Sequence, residues 1–181
     1  MLVKVDNYKD EAVCICPNGT QGDVVELGGL LIVLPVAPPE KEVAGYERSE
    51  AMQMWERVPM PKELSRISSM DEWSEMPREF RQKFSAYIEE EFRRRREGFW
   101  FYNKGKPTYI TGRHYMMLQW TKIDIGYPSY LSFQKDIFIH MAACEIDDRC
   151  LGQLYTKCRR SGYTNICSAV LLDEATQVKD K

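Results

Sequence analysis

The hydrophobic positions in the first third of the chain form the short runs that are typical of β-strands. Apolar stretches at 12–16, 24–27 and 30–36 are separated by a Pro-Asn-Gly sequence and by a pair of glycines, both of which favour turns. This pattern predicts a small meander or hairpin. Prolines end the last strand, and the polar stretch at 40–50 predicts a linker or the start of a surface helix. Residues 1–70 are therefore expected to form a β-rich segment with a linker, whose role the sequence does not indicate.

From Ser74 the hydrophobic spacing lengthens to that of an α-helix. Apolar side chains recur at helical intervals and form one stripe: Phe80, Phe84, Tyr87, Ile88 and Phe92. Pro77 suits the first turn of a helix, and Gly98 suits its end. The pattern predicts a long amphipathic helix between these two residues.

The last turns of that helix carry three glutamates, 89–91, followed by four arginines, 93–96. Each of the first three arginines lies four residues after a glutamate, which is the favourable order for an ion pair on a helix surface. The cations also lie near the helix C-terminus, where the helix dipole stabilises them. We therefore interpret the run as a solvated helix face, with contact to nucleic acid as the alternative.

Two aromatic runs, 99–102 and 108–110, flank a glycine-containing turn and predict a β-hairpin. We interpret the aromatic residues as core, the alternative being a surface that stacks on single-stranded bases. Thr111 is placed to cap a buried helix over 114–123. His114 has no carboxylate or cysteine near it in the pattern, so we interpret it as a hydrogen-bonded structural histidine.

A further helix is predicted from four apolar residues that recur every three or four positions: Phe133, Ile137, Met141 and Cys144. Ser129 or Ser132 is expected to cap it. Gln134 and Asp136 lie off this apolar stripe.

The candidate chemistry lies near the end of the sequence. An apolar run at 151–156 predicts a strand, and the pattern from 164 to about 178 predicts a packed helix. Between them is a basic loop that contains one glycine: Lys157-Cys158-Arg159-Arg160-Ser161-Gly162-Tyr163-Thr164. A strand, a glycine-containing loop and a helix, in that order, are the context of a phosphate-binding loop. The sequence therefore predicts a nucleotide site here.

The loop departs from the usual phosphate-loop pattern, which is glycine, four residues, glycine, lysine and then serine or threonine. Gly162 and Thr164 hold the second-glycine and hydroxyl positions. Lys157, however, stands where the first glycine belongs, and Tyr163 stands where the lysine belongs. The lysine has therefore moved to the head of the loop.

Four apolar residues followed by Asp173 and Glu174 have the composition of a Walker B strand. Asp173 follows Thr164 by only nine positions (173 minus 164). A parallel strand beside the loop strand needs a crossover of about a dozen residues or more. We therefore interpret Asp173 and Glu174 as carboxylates on the surface of the helix.

Composition changes this picture little. The chain has 181 residues, a mass of 21.2 kDa and a net charge of -2, which suits one domain and excludes a wholly basic nucleic-acid coat. No apolar run approaches the roughly 20 residues of a membrane span. Charges among the first ten residues argue against a secretory signal. The six cysteines contain no Cys-x-x-Cys pair, so we expect reduced thiols and no zinc site.

The loop resembles the deviant Walker A sequence of the large terminase subunits of tailed phages, in some of which the lysine heads the loop and an aromatic residue precedes the hydroxyl. The run from Gly98 to Tyr115 is similar to the segment that leads into the ATPase of terminases from crAss-like phages. The resemblance covers roughly residues 74 to 178. It implies an α/β fold in which residues 71–181 begin a terminase-type P-loop NTPase domain that is incomplete.

The resemblance also implies the ligands, ATP and Mg²⁺, and a role for each site residue. The residues expected to bind the nucleotide are Phe133, Gln134, Lys157, Cys158, Arg159, Arg160, Ser161, Gly162, Tyr163 and Thr164. Gln134 would read the adenine edge, with Phe133 against the base. The hydroxyl of Thr164 would bind Mg²⁺. The candidate catalytic cations are Lys157, Arg159 and Arg160.

For the whole protein, the resemblance implies an ATP hydrolase that drives double-stranded viral DNA into the procapsid and carries a C-terminal endonuclease. Its expected partners are the portal protein, the small terminase subunit and further copies of itself in a ring. We expect it in the host cytoplasm, outside the mature virion and not in a membrane. Walker B and the nuclease acids would follow Lys181, so the chain is expected to be an N-terminal portion that hydrolyses no ATP alone.

Two other functions fit the same residues. One is a different P-loop ATPase, such as a helicase-like enzyme, which would share the nucleotide site and lack the nuclease. The other is a non-enzymatic module whose basic loop binds DNA or protein, with a strong dependence on salt and no affinity for ATP.

Overall fold

A computed structural model describes residues 12–17, 19–46, 55–123, 126–156 and 161–177. The strands are β1 (Val13–Cys14), β2 (Gln21–Leu27), β3 (Leu30–Pro35), β4 (Phe99–Asn103) and β5 (Lys106–Ile110). The α-helices are α1 (Met70–Glu75), α2 (Arg78–Glu97), α3 (Gly112–Trp120), α4 (Ser132–Ile146) and α5 (Tyr163–Gln177). Short 3-10 helices lie at Glu40–Glu42 and Leu64–Arg66. The protein is thus of mixed α/β class, with two small sheets and several helices.

The predicted N-terminal β-structure is confirmed. In this sheet β3 lies in the middle, parallel to β1 and antiparallel to β2. Gly28 and Gly29 form the turn between β2 and β3 with positive φ values of 59° and 85°, which favour glycine. One face of the sheet packs on α4, where Ile139 and Ala143 join its buried residues in one apolar cluster. The sheet is therefore anchored by a helix that follows it by about a hundred residues in sequence.

The predicted long helix is also confirmed as α2. It begins after Pro77 and ends at Gly98, whose φ is 85°. Its charged end is only partly the solvated face that the sequence predicts. Arg94 pairs with Glu90 at 2.8 Å as expected, but Arg95 pairs with Asp173 of α5 rather than with a glutamate of its own helix.

Strands β4 and β5 form the predicted hairpin. Lys104 and Gly105 make its turn with φ values of 51° and 76°, the left-handed conformations that a two-residue type I′ turn needs. Phe101, Tyr102 and Tyr109 are buried, so the interpretation of these aromatic residues as core is confirmed.

Helices α2 and α3 meet where their backbones nearly touch. A Cβ at Gly112 would overlap the carbonyl oxygen of Arg95, so no other residue fits at this point without moving one helix. Thr111 caps α3 as predicted, because its Oγ1 accepts a hydrogen bond from the His114 amide. The cap starts α3 at Gly112, two residues before the predicted start.

The prediction of which face of α4 is buried is wrong at Phe133, the first residue of the predicted apolar stripe. Phe133 is 42% exposed, whereas Gln134 is 5% exposed and lies on the buried face with Ile137 and Phe138. The expected serine caps are also wrong, because α4 begins after Leu131 and no side chain of the described residues caps it. The periodicity misleads here because α4 carries apolar residues on more than one side. The spacing alone therefore does not identify the side that packs against the core.

His114 is completely buried between two aromatic rings. Its imidazole stacks on Phe138, with ring centres 4.7 Å apart, and on Tyr130 at 5.7 Å. Neither ring nitrogen has a hydrogen-bond partner within the described part of the chain. The expectation of a hydrogen-bonded histidine is therefore wrong. Burial, helped by the charge of Lys135, lowers the pKa of His114 to about 3.

This histidine should make the stability of the fold depend on pH. The folded state keeps His114 neutral, while His114 of the unfolded chain binds a proton below about pH 6.5. The free energy of unfolding is therefore undiminished by this group above that pH, and it falls as the pH drops towards 3. We expect His114→Phe to reduce the loss of unfolding free energy between pH 7 and pH 5 by about 2 kcal/mol. Urea titrations of both proteins at the two pH values measure this. If His140→Gln, at the half-buried histidine, removed as much of the pH dependence, the assignment to His114 would be wrong.

None of the described helices is long and apolar enough to cross a membrane.

Candidate functional site

The structure describes only the second half of the predicted phosphate-binding loop. Lys157, Cys158, Arg159 and Arg160 lie outside the described residues. The other half of the loop, 161–164, is described together with Gln134 and Phe133. The geometry of the site is therefore that of the junction between the loop and α5.

The segment before the loop is not the strand that the sequence predicts. Residues 151–156 form no regular secondary structure, Leu151 is fully exposed and Leu154 is 94% exposed. A strand is stabilised by hydrogen bonds to a neighbouring strand, and no strand among the described residues pairs with this segment. The predicted strand-loop-helix context is thus wrong in its first part.

The helix that follows the loop is confirmed. Helix α5 begins at Tyr163 and is anchored by Ile166 and Ala169, both of which are buried in the main apolar cluster. Gly162 precedes it with a φ of 73°. The Gly162 carbonyl accepts hydrogen bonds from the amides of Asn165 at 3.0 Å and Ile166 at 3.2 Å. These bonds pair two amides within the start of the helix. A helix N-terminus is a position at which proteins bind anions.

Gln134 lies beside this junction. Its Nε2 atom is 3.3 Å from the point where a Cβ of Gly162 would be. Its Oε1 atom is shielded from solvent and has no hydrogen-bond partner in the described ranges, and the same holds for Oγ of Ser161. An unpaired buried polar group of this kind costs about 1–3 kcal/mol. Two unpaired polar atoms therefore lie at or next to the start of α5, where a ligand or a small side-chain movement would satisfy them.

Phe133 and Thr164 are open to solvent. Phe133 therefore does not share the buried position of Gln134, although the two residues are adjacent. Thr164, in the first turn of α5, is therefore accessible to a ligand. Of the described site residues, the structure thus brings Gln134, Ser161 and Gly162 together and leaves Phe133 outside.

Tyr163, at the position where lysine is usual, stacks on Tyr155. The two ring centres are 4.8 Å apart and the rings are inclined by only 15°. Partial burial, with the neighbouring Cys167, raises the pKa of the Tyr163 hydroxyl. The phenol is therefore neutral at pH 7 and supplies no charge to a phosphate.

No protein-family model, curated protein or solved structure matches the chain. No group of three or more histidine, cysteine or acidic residues in the described part of the chain is arranged to hold a metal ion.

In the C-terminal half of α5, the expectation that Asp173 is a surface carboxylate is wrong. Asp173 is 1% exposed and accepts a hydrogen bond from Nη2 of Arg95 at 2.7 Å, so it is not a surface carboxylate. The same Arg95 nitrogen donates to Oγ1 of Thr176 at 2.7 Å. Glu174 is exposed, as expected, and pairs with Arg113 at the start of α3. Two arginines therefore fasten the C-terminal half of α5 to α2 and α3.

Sequence reasoning missed Tyr155, Arg95 and Asp173 as residues that hold the site in place. For Asp173 a signal was present, since it follows Ile166 and Ala169 at helical intervals and so shares their buried face. For the other two there was none, because the stacking of Tyr155 and the ion pair of Arg95 join residues whose proximity depends on the fold.

Proposed function

We propose that the loop and the first turn of α5 bind ATP with Mg²⁺. We further propose that the chain is the N-terminal portion of the ATPase domain of a phage large terminase subunit, the motor that drives double-stranded DNA into the procapsid. The observation that carries the proposal is the position of Gln134, a buried amide with an unpaired oxygen, directly beside Gly162 at the start of α5.

The residues at this junction fit the two ligands. The amide of Gln134 offers a donor and an acceptor, which is what the edge of adenine requires. The positive φ of Gly162 and the absence of a side chain allow a phosphate to approach the backbone closely. The exposed hydroxyl of Thr164 suits Mg²⁺, which prefers oxygen ligands and neutralises phosphate charge when it is bound.

The cations of the site come from the first half of the loop. In the proposal, Lys157 neutralises the phosphate oxygens, and Arg159 and Arg160 supply further positive charge. Tyr163 supplies none, because its ring is stacked on Tyr155. The same proposal includes the fold of a terminase-type P-loop NTPase. It also includes the portal protein and the small terminase subunit as partners, a ring of copies of this protein as the assembly, and the host cytoplasm as the location.

We expect Gln134→Leu to weaken the binding of ATP-Mg by roughly tenfold, because a leucine of similar size cannot pair with adenine. Isothermal titration of this chain with ATP-Mg and with GTP-Mg measures the effect. Wild type should prefer ATP, and the variant should lose that preference. Gln82→Leu, at an exposed glutamine on α2, is the matched control and should bind like wild type.

An unchanged preference for ATP in Gln134→Leu would refute the role of Gln134 as adenine reader. A wild-type chain that binds no ATP, but binds DNA with an affinity that falls steeply with salt, would instead support the interaction-module alternative.

A further inference from the structure

Strand β2 lies at one edge of the N-terminal sheet. Within the described part of the chain it is hydrogen-bonded to β3 alone, because β1 pairs with the opposite side of β3. The outer side of an edge strand carries backbone N–H and C=O groups that no strand of the sheet pairs. An extended polypeptide can continue a sheet at such an edge by forming main-chain hydrogen bonds to it.

The register of the hairpin shows which backbone groups of β2 face outward. Leu27 and Leu30 pair directly across the two-glycine turn, so they form the hydrogen-bonded pair that closes a hairpin of this type. Hydrogen-bonded and non-hydrogen-bonded pairs then alternate along an antiparallel ladder. Val25 is therefore bonded to β3, whereas the N–H and C=O groups of Val24 and Glu26 point to the open edge.

The side chains along this edge are accessible and acidic. Val24 is 56% exposed, and Asp23 and Glu26 are exposed as well. Neither carboxylate forms an ion pair within the described residues. Like charges on neighbouring strands repel, so two copies of this chain are disfavoured from pairing along β2. A strand that carries cations at the matching positions is favoured for the same reason.

A β-bulge sets the length of this edge. The register of β2 on β3 shifts between Gln21 and Val24, and such a shift interrupts the regular ladder. The part without a shift runs from Val24 to Leu27. A partner segment of about five residues, at roughly 3.4 Å each, is long enough to pair with it.

We propose that the open edge of β2 binds an extended basic segment of a partner protein, which adds a strand to the sheet. The outward backbone groups of Val24 and Glu26 supply the hydrogen bonds. Asp23 and Glu26 select lysine or arginine on the incoming strand, and Val24 accepts an apolar residue between them. The inference is independent of the proposed nucleotide site, from which it uses no residue.

The probe is a blocked hexapeptide, Thr-Lys-Thr-Ile-Lys-Thr, whose two lysines fall opposite Glu26 and Asp23 in an antiparallel pairing. Amide hydrogen exchange of the 181-residue chain, followed residue by residue by NMR, measures its effect. Saturating peptide should slow exchange at Val24 and Glu26 at least about tenfold, because these amides gain acceptors. Val25, already bonded to β3, should keep its rate. The same peptide with glutamate in place of each lysine should have no effect.

Two variants separate the backbone bonds from the charges. Val24→Pro removes one outward N–H, and an edge strand tolerates proline where its N–H faces solvent, so peptide affinity should fall at least about fivefold while the fold persists. Val24→Thr keeps the N–H and should bind within about twofold of wild type. Asp23→Asn with Glu26→Gln removes both charges and should weaken binding about fivefold. If Val24→Pro does not fold, a peptide methylated on the backbone nitrogens that face β2 replaces it and must fail to bind.

Three results would overturn the inference. Exchange at Val24 and Glu26 that is already slow without peptide would show that the chain itself covers the edge. A dimer in sedimentation experiments that Val24→Pro dissociates would assign the edge to a second copy. Equal binding of the lysine and glutamate peptides, or binding of neither, would remove the basis for a basic partner.

Discussion

Replacing Asp173 by alanine is expected to lower the free energy of unfolding by about 3–5 kcal/mol. Asp173 is 1% exposed and pairs with Arg95 at 2.7 Å, and the side chain of Arg95 is itself 15% exposed. Removing the carboxylate leaves the guanidinium mostly buried without its counter-ion, and it weakens the link between α5 and α2, which then depends on the bond from Arg95 to Thr176. Urea titration at pH 7, followed by circular dichroism, measures the change.

Two comparison variants make this result interpretable. Glu174→Ala removes the neighbouring, exposed carboxylate and its pair with Arg113, and we expect a loss of no more than about 1 kcal/mol. Arg95→Met with Asp173→Leu removes both charges and should recover most of the stability. Equal losses for Asp173→Ala and Glu174→Ala would contradict the buried ion pair. A complete protein that keeps its fold but loses ATP hydrolysis in Asp173→Asn would assign Asp173 to the chemistry instead.

In a full-length packaging ATPase of the kind we propose, replacing Lys157 by alanine is expected to abolish ATP turnover, a fall of at least roughly 10²–10³-fold. In the proposal Lys157 takes the place of the usual phosphate-loop lysine, while the ring of Tyr163 is stacked on that of Tyr155. The fold should be unaffected. Phosphate release measures the rate, and the circular dichroism spectrum checks the fold.

The matched control for this variant is Lys122→Ala, at an exposed lysine just after α3, which should turn over ATP like wild type. Unchanged turnover in Lys157→Ala would refute the assignment of the displaced lysine and leave the source of the phosphate charge to Arg159 or Arg160.

Local signals in the sequence predicted the elements whose boundaries are set by single residues. Pro77 and Gly98 bound α2 because Pro77 precedes its first turn as the N-cap residue, and Gly98 adopts a φ of 85° that ends it. Thr111 starts α3 by accepting from a backbone amide. Such effects act within a few residues, so the sequence is sufficient to predict them.

The errors concern properties that depend on residues far apart in sequence. An apolar run becomes a strand only beside another strand, so 151–156 was predicted wrongly from its composition alone. Asp173 shares the buried face of α5 with Ile166 and Ala169, but Arg95, the cation that pairs with it, lies 78 residues earlier. In the site itself, the sequence indicated Gln134 and the loop. The burial of that amide and the stacking of Tyr155 on Tyr163 could be found only in the folded chain.

The near contact of α2 and α3 limits how this chain can diverge. Because a Cβ at Gly112 would overlap the carbonyl of Arg95, any descendant that keeps the two helices in place must keep a glycine at this position, whatever it binds. Gly98, where a Cβ would lie 2.5 Å from the carbonyl oxygen of Ile110, is under the same constraint. Two glycines 14 positions apart (112 minus 98) are therefore a signature of descent that would survive a complete change of the loop and of its ligand.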